Sequence, residues 1–275
     1  GRNYLWLPLF YVTSNTDMIP TIFAMGPMRT LLPNWVTEDG WENARKILGD
    51  PEKRKILRYD CDRYWRFIHK GDWDRVRVQV ASAFPEIAGM SFPDIAKKWN
   101  KNEWDCLFDI LQMAQTEEDF KQIKMMSRAF SEEDIVYSIT DPLFSWAVDG
   151  YTTVTEGPLA SQTCNPKHYM DMMYFFTHHV RDNKIIPFEK AVSKLTSFPA
   201  TFYGLSKRGQ INEGYYADIN IFNLSDLKTH ATFENPYVYS EGMEYVIVNG
   251  VPVIFRGEHT HKRPGRILKH NISQN

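Results

Sequence analysis

Residues 143–150 read LFSWAVDG and follow the pair Asp141-Pro142. Asp-Pro predicts a turn that launches an extended segment. Phe144, Trp146 and Val148 alternate with the small Ser145 and Ala147, a pattern that suits a strand buried on both faces. The run stops on Asp149 and Gly150. Asp149 is therefore expected at the carboxyl end of a buried strand, where α/β folds carry their chemistry. Gly150 frees the chain to turn there. Segments before this run alternate between strand-like and helix-like patterns. After it come two helices and a hairpin-rich β segment. The fold class predicted is α/β.

Upstream, Tyr4–Tyr11 is apolar and strand-like, with Pro8 marking a bend or edge. Ile19–Met28 is apolar and rich in methionine, and Leu31–Trp35 (LLPNW) reads as a loop or short turn. Trp41–Leu48 is a helix, and Asp50-Pro51 opens another with proline at its first position. Val76, Val78 and Val80 alternate with Arg75, Arg77 and Gln79, which predicts a half-buried strand over Val76–Ala81. Ser91–Trp99 and Asn102–Ala114 are helical, the second with Trp104, Leu107, Phe108 and Leu111 on one stripe. Thr116–Asp119 and Ser131–Asp134 each set an acid three residues after a hydroxyl, the pattern of a helix start. Downstream, a polar loop runs to Lys167. Helices are expected over His168–Arg181 and Pro187–Leu195, then a short helical turn ending at Gly204. From Gly209 the pattern is β. Tyr245–Val248 and Val251–Phe255 flank Asn249-Gly250, the strongest two-residue hairpin signal.

The 275 residues are 43% apolar and 24% charged, ordinary for a globular chain. A formal net charge of -2 makes no electrostatic case for nucleic acid or an anionic membrane surface. No apolar run approaches the ~20 residues of a membrane span. The amino terminus lacks the small-residue cleavage site of a signal peptide. Cys61, Cys106 and Cys164 fit neither a zinc motif nor a disulfide framework, which points to a reducing, cytoplasmic setting. Asn223-Leu-Ser225 and Asn271-Ile-Ser273 are sequons of a kind common by chance. The strand-helix region shows three strands, over Tyr4–Tyr11, Val76–Ala81 and Phe144–Val148, where a closed β/α barrel needs eight. The chain reads as the carboxyl-terminal half of something larger.

The run from Glu189, EKAVSKLTSFPATFYGLSKRGQINEGYYADINIFN, carries Lys194, Thr196, Pro199, Ala200, Gly209, Ile211, Gly214, Ala217 and Asp218. In this order they resemble the Lys-x-Thr-x-x-Pro-Ala and Gly-x-Ile-x-x-Gly-x-x-Ala-Asp signature that closes metal-dependent amidohydrolases. The following ATFENPYVYSEGMEYVIVNGVPVIFRGEHTHKRPGRIL resembles the N-acyl-D-amino-acid deacylase (D-aminoacylase) family. LLPNW, the Asp50-Pro51…Arg54 element and GMSFPDIA (89–96) are similar to that family too. The resemblance covers most of the chain and the second half of a family member.

What the resemblance implies is the carboxyl-terminal part of a β/α (TIM-like) barrel over residues 1–205. Strands of a small β-sandwich follow over 206–275. It implies zinc-dependent hydrolysis of a non-peptide amide, the substrates being N-acyl amino acids and in particular N-acyl-D-amino acids. Asp149 matches the aspartate that takes a proton from water and passes it to the leaving amine, and it is the one metal ligand expected in this chain. The remaining zinc ligands are expected upstream, in an amino-terminal half of the same enzyme. Lys167 stands where the family has the arginine of His-Pro-Arg, here Asn165-Pro166-Lys167, and would pair with the substrate carboxylate as a point charge. Other departures are Val148 before Asp149-Gly150, where the family has serine, and Leu7-Pro8-Leu9 for Tyr-Pro-Tyr. The alternative is a non-catalytic relic or structural subunit that needs the amino-terminal half as partner.

Each candidate has a plainer reading. Asp149 before glycine is also a common turn residue, and Lys167 reads equally as a solvated loop lysine. His178 and His179 point ~100° apart on a helix, so they read as a surface pair rather than one metal face. His168 could line the mouth of the site. His259 and His261 have metal-pair spacing but follow the hairpin, where a solvated loop is expected. Cys164 reads as a small buried residue. The Met and aromatic stripe of Met170–Phe176 reads as core.

Overall fold

The computed structural model describes residues 18–20, 32–69, 71–81, 83–116, 119–120, 123–128, 132–146, 154–157, 166–232 and 235–268. They fall into two compact units, one between residues 18 and 128 and the other between residues 132 and 268.

In the first unit, a three-stranded antiparallel sheet is built from β1 (Met18–Pro20), β2 (Val76–Val80) and β3 (Lys124–Arg128), in the order β1-β3-β2. Helices α1 (Asn34–Thr37), α2 (Trp41–Gly49), α3 (Pro51–His69), α4 (Phe92–Trp99) and α5 (Glu103–Gln112) complete it. Local chemistry sets their starts. Asp50 Oδ1 accepts from the amides of Glu52 and Lys53 at 2.9 and 3.2 Å. Ser91 caps α4 and Asn102 caps α5. Thr116 and Asp119 exchange side-chain-to-amide bonds at 3.0 and 2.9 Å, a reciprocal cap. Leu48, Leu57, Val76, Phe92, Leu107 and Phe108 lie in one buried core. Beside it Arg54 donates to the Leu48 carbonyl and, at 2.7 Å, to Asp109.

The strand at Val76 thus forms where expected, but it pairs antiparallel with Lys124–Arg128, not in parallel as a barrel strand would. Phe144–Trp146 carries no strand in the structure. Instead the Asp141-Pro142 turn is closed by Asp141 Oδ1 accepting from Leu143 N at 2.8 Å. Residues 4–11 and 147–150 lie outside the described residues. The strands described are antiparallel in both units.

The second unit holds α6 (Glu132–Thr140), α7 (Lys167–Tyr174), α8 (Phe188–Leu195) and α9 (Ser197–Phe202). A π-helical stretch, Phe175–Asp182, continues α7. A four-stranded antiparallel sheet follows, β4 (Ile219–Phe222), β5 (Met243–Val248), β6 (Val251–Phe255) and β7 (Glu258–His259), in chain order. Asn249 (φ 47°) and Gly250 (φ 80°) make the tight β5–β6 turn, as the primed hairpin turns require. No helix among the described residues is long and apolar enough to cross a membrane.

The signature residues are the joints of this unit. Lys194 Nζ donates to the carbonyls of Asp141 and Phe144 at 2.5 and 2.6 Å. Asp218 accepts from Arg208 and, at 2.8 Å, from the Asn249 amide. Gly250 N donates to Ala217 O at 2.9 Å. Gly209 has φ +80°, and a Cβ there would stand 2.7 Å from Ala200 Cβ and 2.8 Å from Thr196 O.

Gly209→Ala therefore meets both an unfavourable φ and fixed backbone, and is expected to cost on the order of 2 kcal/mol or more. Gly214→Ala, with φ +76° and nothing within 4 Å, carries the φ penalty alone and is expected to cost about 1 kcal/mol. Denaturant unfolding of the two variants checks the ranking. Equal costs would show that the Gly209 contact yields.

Candidate functional site

The helix that starts at Lys167 presents an unusual buried face. Lys167, Asp171, Phe175 and His179 are spaced four apart, which sets them on one side of a helix. They are 8%, 2%, 0% and 0% exposed. Three of the four are polar, and helical burial of such groups requires partners. Asp171 Oδ2 accepts from Trp146 Nε1 at 3.3 Å. Phe175 lies 4.4 Å from the Trp146 ring, tilted by 31°, and His179 lies 5.8 Å from it. The face thus grips the tryptophan that stands three residues before Asp149.

His179 Nδ1 and Nε2 are both buried without a hydrogen-bond partner among the described residues. Each such nitrogen costs about 1–3 kcal/mol. The ring lies in the π-helical stretch, a distortion that often marks functional positions. Burial, and secondarily the charge of His178, pushes its pKa down to about 3. His178 is stacked on Tyr174 at 4.6 Å and meets Asn183 Nδ2 at 3.1 Å.

The expected surface pair is thus half right. His178 is partly exposed, whereas His179 is a core residue, on the same side of the helix as Phe175 and against Trp146. Lys167 is not a solvated loop lysine. It is buried in the first turn of α7. His168 is half-buried beside it. Asp149 and Cys164 lie outside the described residues. His259 and His261 are exposed, with ring centroids 5.0 Å apart. In the Met and aromatic stripe, Met170 and Phe175 are core, but Met172 is 40% exposed. Asp171 was not singled out from the sequence; its four-residue spacing from Lys167 and Phe175 was the available signal.

Among the described residues no group of three or more His, Cys, Asp or Glu converges on a metal site. The donors there do not by themselves fit a zinc ion.

The amidohydrolase family profile matches residues 151–254, immediately after Asp149-Gly150. Over that stretch, 104 of the 275 residues, the chain is similar to that family. It is 25% identical over 205 residues to the N-acyl-D-glutamate deacylase of Alcaligenes xylosoxydans xylosoxydans, covering 73% of this chain and 37% of that enzyme. It is 26% identical over 199 residues to the D-aminoacylase of the same organism, covering 70% and 37%. The chain thus spans a little over a third of the length of these relatives. Among solved structures, it resembles the N-acyl-D-glutamate deacylase of Bordetella bronchiseptica in complex with zinc and a phosphonate inhibitor. The TM-score is 0.53 at 22% identity, covering 74% of this chain and 39% of that one. That likeness is one of fold. The profile match takes in the helix that carries Lys167, Asp171 and His179.

A pH dependence follows from His179. Its folded-state pKa of about 3 lies below the ~6.5 of an unfolded histidine. Between those values the unfolded chain binds the extra proton, so stability rises with pH there and is level above. As pH falls from 6.5 towards 3, His179 is expected to remove up to about 1.4 kcal/mol per pH unit. Unfolding free energies measured across this range for the wild type and His179→Phe test it. The same slope in both would assign the acid sensitivity to other groups.

Proposed function

We propose that the chain is the carboxyl-terminal part of a metal-dependent amidohydrolase that removes the acyl group from N-acyl amino acids, N-acyl-D-amino acids above all. In this reading residues 1–205 contribute to a β/α barrel and residues 206–275 to a small β-sandwich. The observation that supports it most is the Lys194 clamp. The signature lysine of the amidohydrolase segment holds the carbonyls of Asp141 and Phe144, and so the turn from which the chain runs on to Asp149.

Asp149 is assigned as the catalytic carboxylate. It accepts a proton from the attacking water and returns it to the departing amine, so the proton count closes over one turnover. Lys167 is assigned to the substrate carboxylate. Its burial suits that task, since a charge shielded from water attracts its partner more strongly. The zinc carried by the Bordetella bronchiseptica enzyme fits this reading only with ligands outside the described residues; Asp149 is the one ligand assigned to this chain. An amino-terminal half of the same enzyme is the proposed source of the others.

The test is acyl release from N-acetyl-D- and N-acetyl-L-amino acids by the full-length protein loaded with zinc. Asp149→Asn is expected to lower kcat by roughly 10²–10⁴-fold with the fold intact by circular dichroism. Lys167→Ala is expected to raise KM about tenfold for substrates with a free carboxylate, with little change for their amides. No release from any N-acyl amino acid would favour the non-catalytic subunit. Full turnover by Asp149→Asn would remove that residue from the reaction.

A further inference from the structure

The second unit encloses a cavity of about 710 Å³ between α7 with its π-helical continuation, α8, and strands β4 and β5. One wall is a cluster of three aromatic rings. Phe176, Phe188 and Phe222 have centroids 5.8, 5.9 and 6.3 Å apart. Met172, Met173 and Met243 add thioether side chains, which re-pack around ligands of different shape. The volume falls in the range of small-molecule sites, roughly 300–1,000 Å³. Three large apolar residues of the lining are left accessible to solvent. Ile211 is 83% exposed, Met172 40% and Phe188 36%. Such side chains gathered around one cavity are a mark of a binding groove.

Charge narrows the ligand. Among the described residues of the lining, Asp218 is the one ionisable group. Its carboxylate accepts from Arg208 and from the Asn249 amide, so a cationic ligand would have to compete with Arg208. No lysine, arginine or histidine stands among those lining residues, so an anionic ligand would lose its hydration and meet only the Asp218 charge. The polar groups on offer are the carboxamides of Gln210 and Asn220, both in exposed residues of the lining. A carboxamide both donates and accepts, which suits a neutral polar group. We propose that this cavity binds an aliphatic chain with an uncharged polar end, of the class of a medium-chain amide or alcohol. The chain lies against the phenylalanine wall and the methionines, and the polar end meets Gln210 and Asn220. The site uses neither Asp149 nor Lys167, so its test is independent of acyl hydrolysis.

Octanamide and octanoate, which share a chain length and differ in charge, are titrated into the full-length protein by calorimetry at neutral pH. Octanamide is expected to bind saturably, one molecule per chain, and octanoate about tenfold more weakly. Val192→Phe adds bulk at the lining and is expected to weaken octanamide about tenfold. Gln210→Lys, at an exposed position, supplies a cation where the polar end is placed. It is expected to reverse the preference, so that octanoate binds at least as tightly as octanamide, and it decides the matter where Val192→Phe fails to fold. A wild type that takes up no octanamide overturns the proposal, as it would if another part of the protein filled the cavity. Equal affinity for the two probes overturns it as well. So does unaltered octanamide binding by a folded Val192→Phe, or a Gln210→Lys protein that keeps the wild-type preference.

Discussion

Lys194 Nζ sits 2.5 Å from the Asp141 carbonyl and 2.6 Å from the Phe144 carbonyl, and the second unit depends on this bond pair. Helix α6 ends at Thr140, and the ammonium binds two carbonyls of the turn that follows it. A cation there satisfies them and complements the negative end of the helix. Burial pushes the pKa of the ammonium below its ordinary value, and the charge of Asp141 works against that. From this fixed turn the chain reaches Trp146 and its grip. Asp171 and His179 are buried polar groups, and they belong to the helix that meets that tryptophan.

This gives the amidohydrolase signature a physical meaning. Lys194 pins a turn, Gly209 lets two backbones approach, and Asp218 joins Arg208 to the hairpin turn at Asn249. Each of these tasks tolerates few substitutions.

The parts of the fold that were legible were those set by local chemistry. Caps at Asp50, Ser91 and Asn102, the Thr116–Asp119 pair and the Asn249-Gly250 hairpin all form as their residue types dictate. Lys124–Arg128 was not legible as a strand, because KMMSR lacks alternation and depends on pairing with Val76–Val80. LFSWAV looked like a strand, yet over 144–146 the Asp141 turn and the grip on the indole decide the backbone. His179 was misread for a related reason. Two adjacent histidines look like a wet surface, yet His179 falls on the buried side with Asp171 and Phe175 and packs against Trp146. Both misreadings are cases in which tertiary contact overrode local pattern.

The turn at Asn249-Gly250 has a bearing on how the molecule ages. Asparagine followed by glycine is the dipeptide most prone to deamidation, because the glycine nitrogen can cyclise onto the neighbouring carboxamide. Here that nitrogen donates to Ala217 O, and the carboxamide is held by Arg208 at 2.6 Å and by the Pro264 carbonyl at 2.8 Å. Both reacting groups are occupied by hydrogen bonds. The hairpin that is weakest chemically as a peptide is thus guarded by its own hydrogen bonds once folded, and loss of the fold at this corner exposes it to irreversible damage.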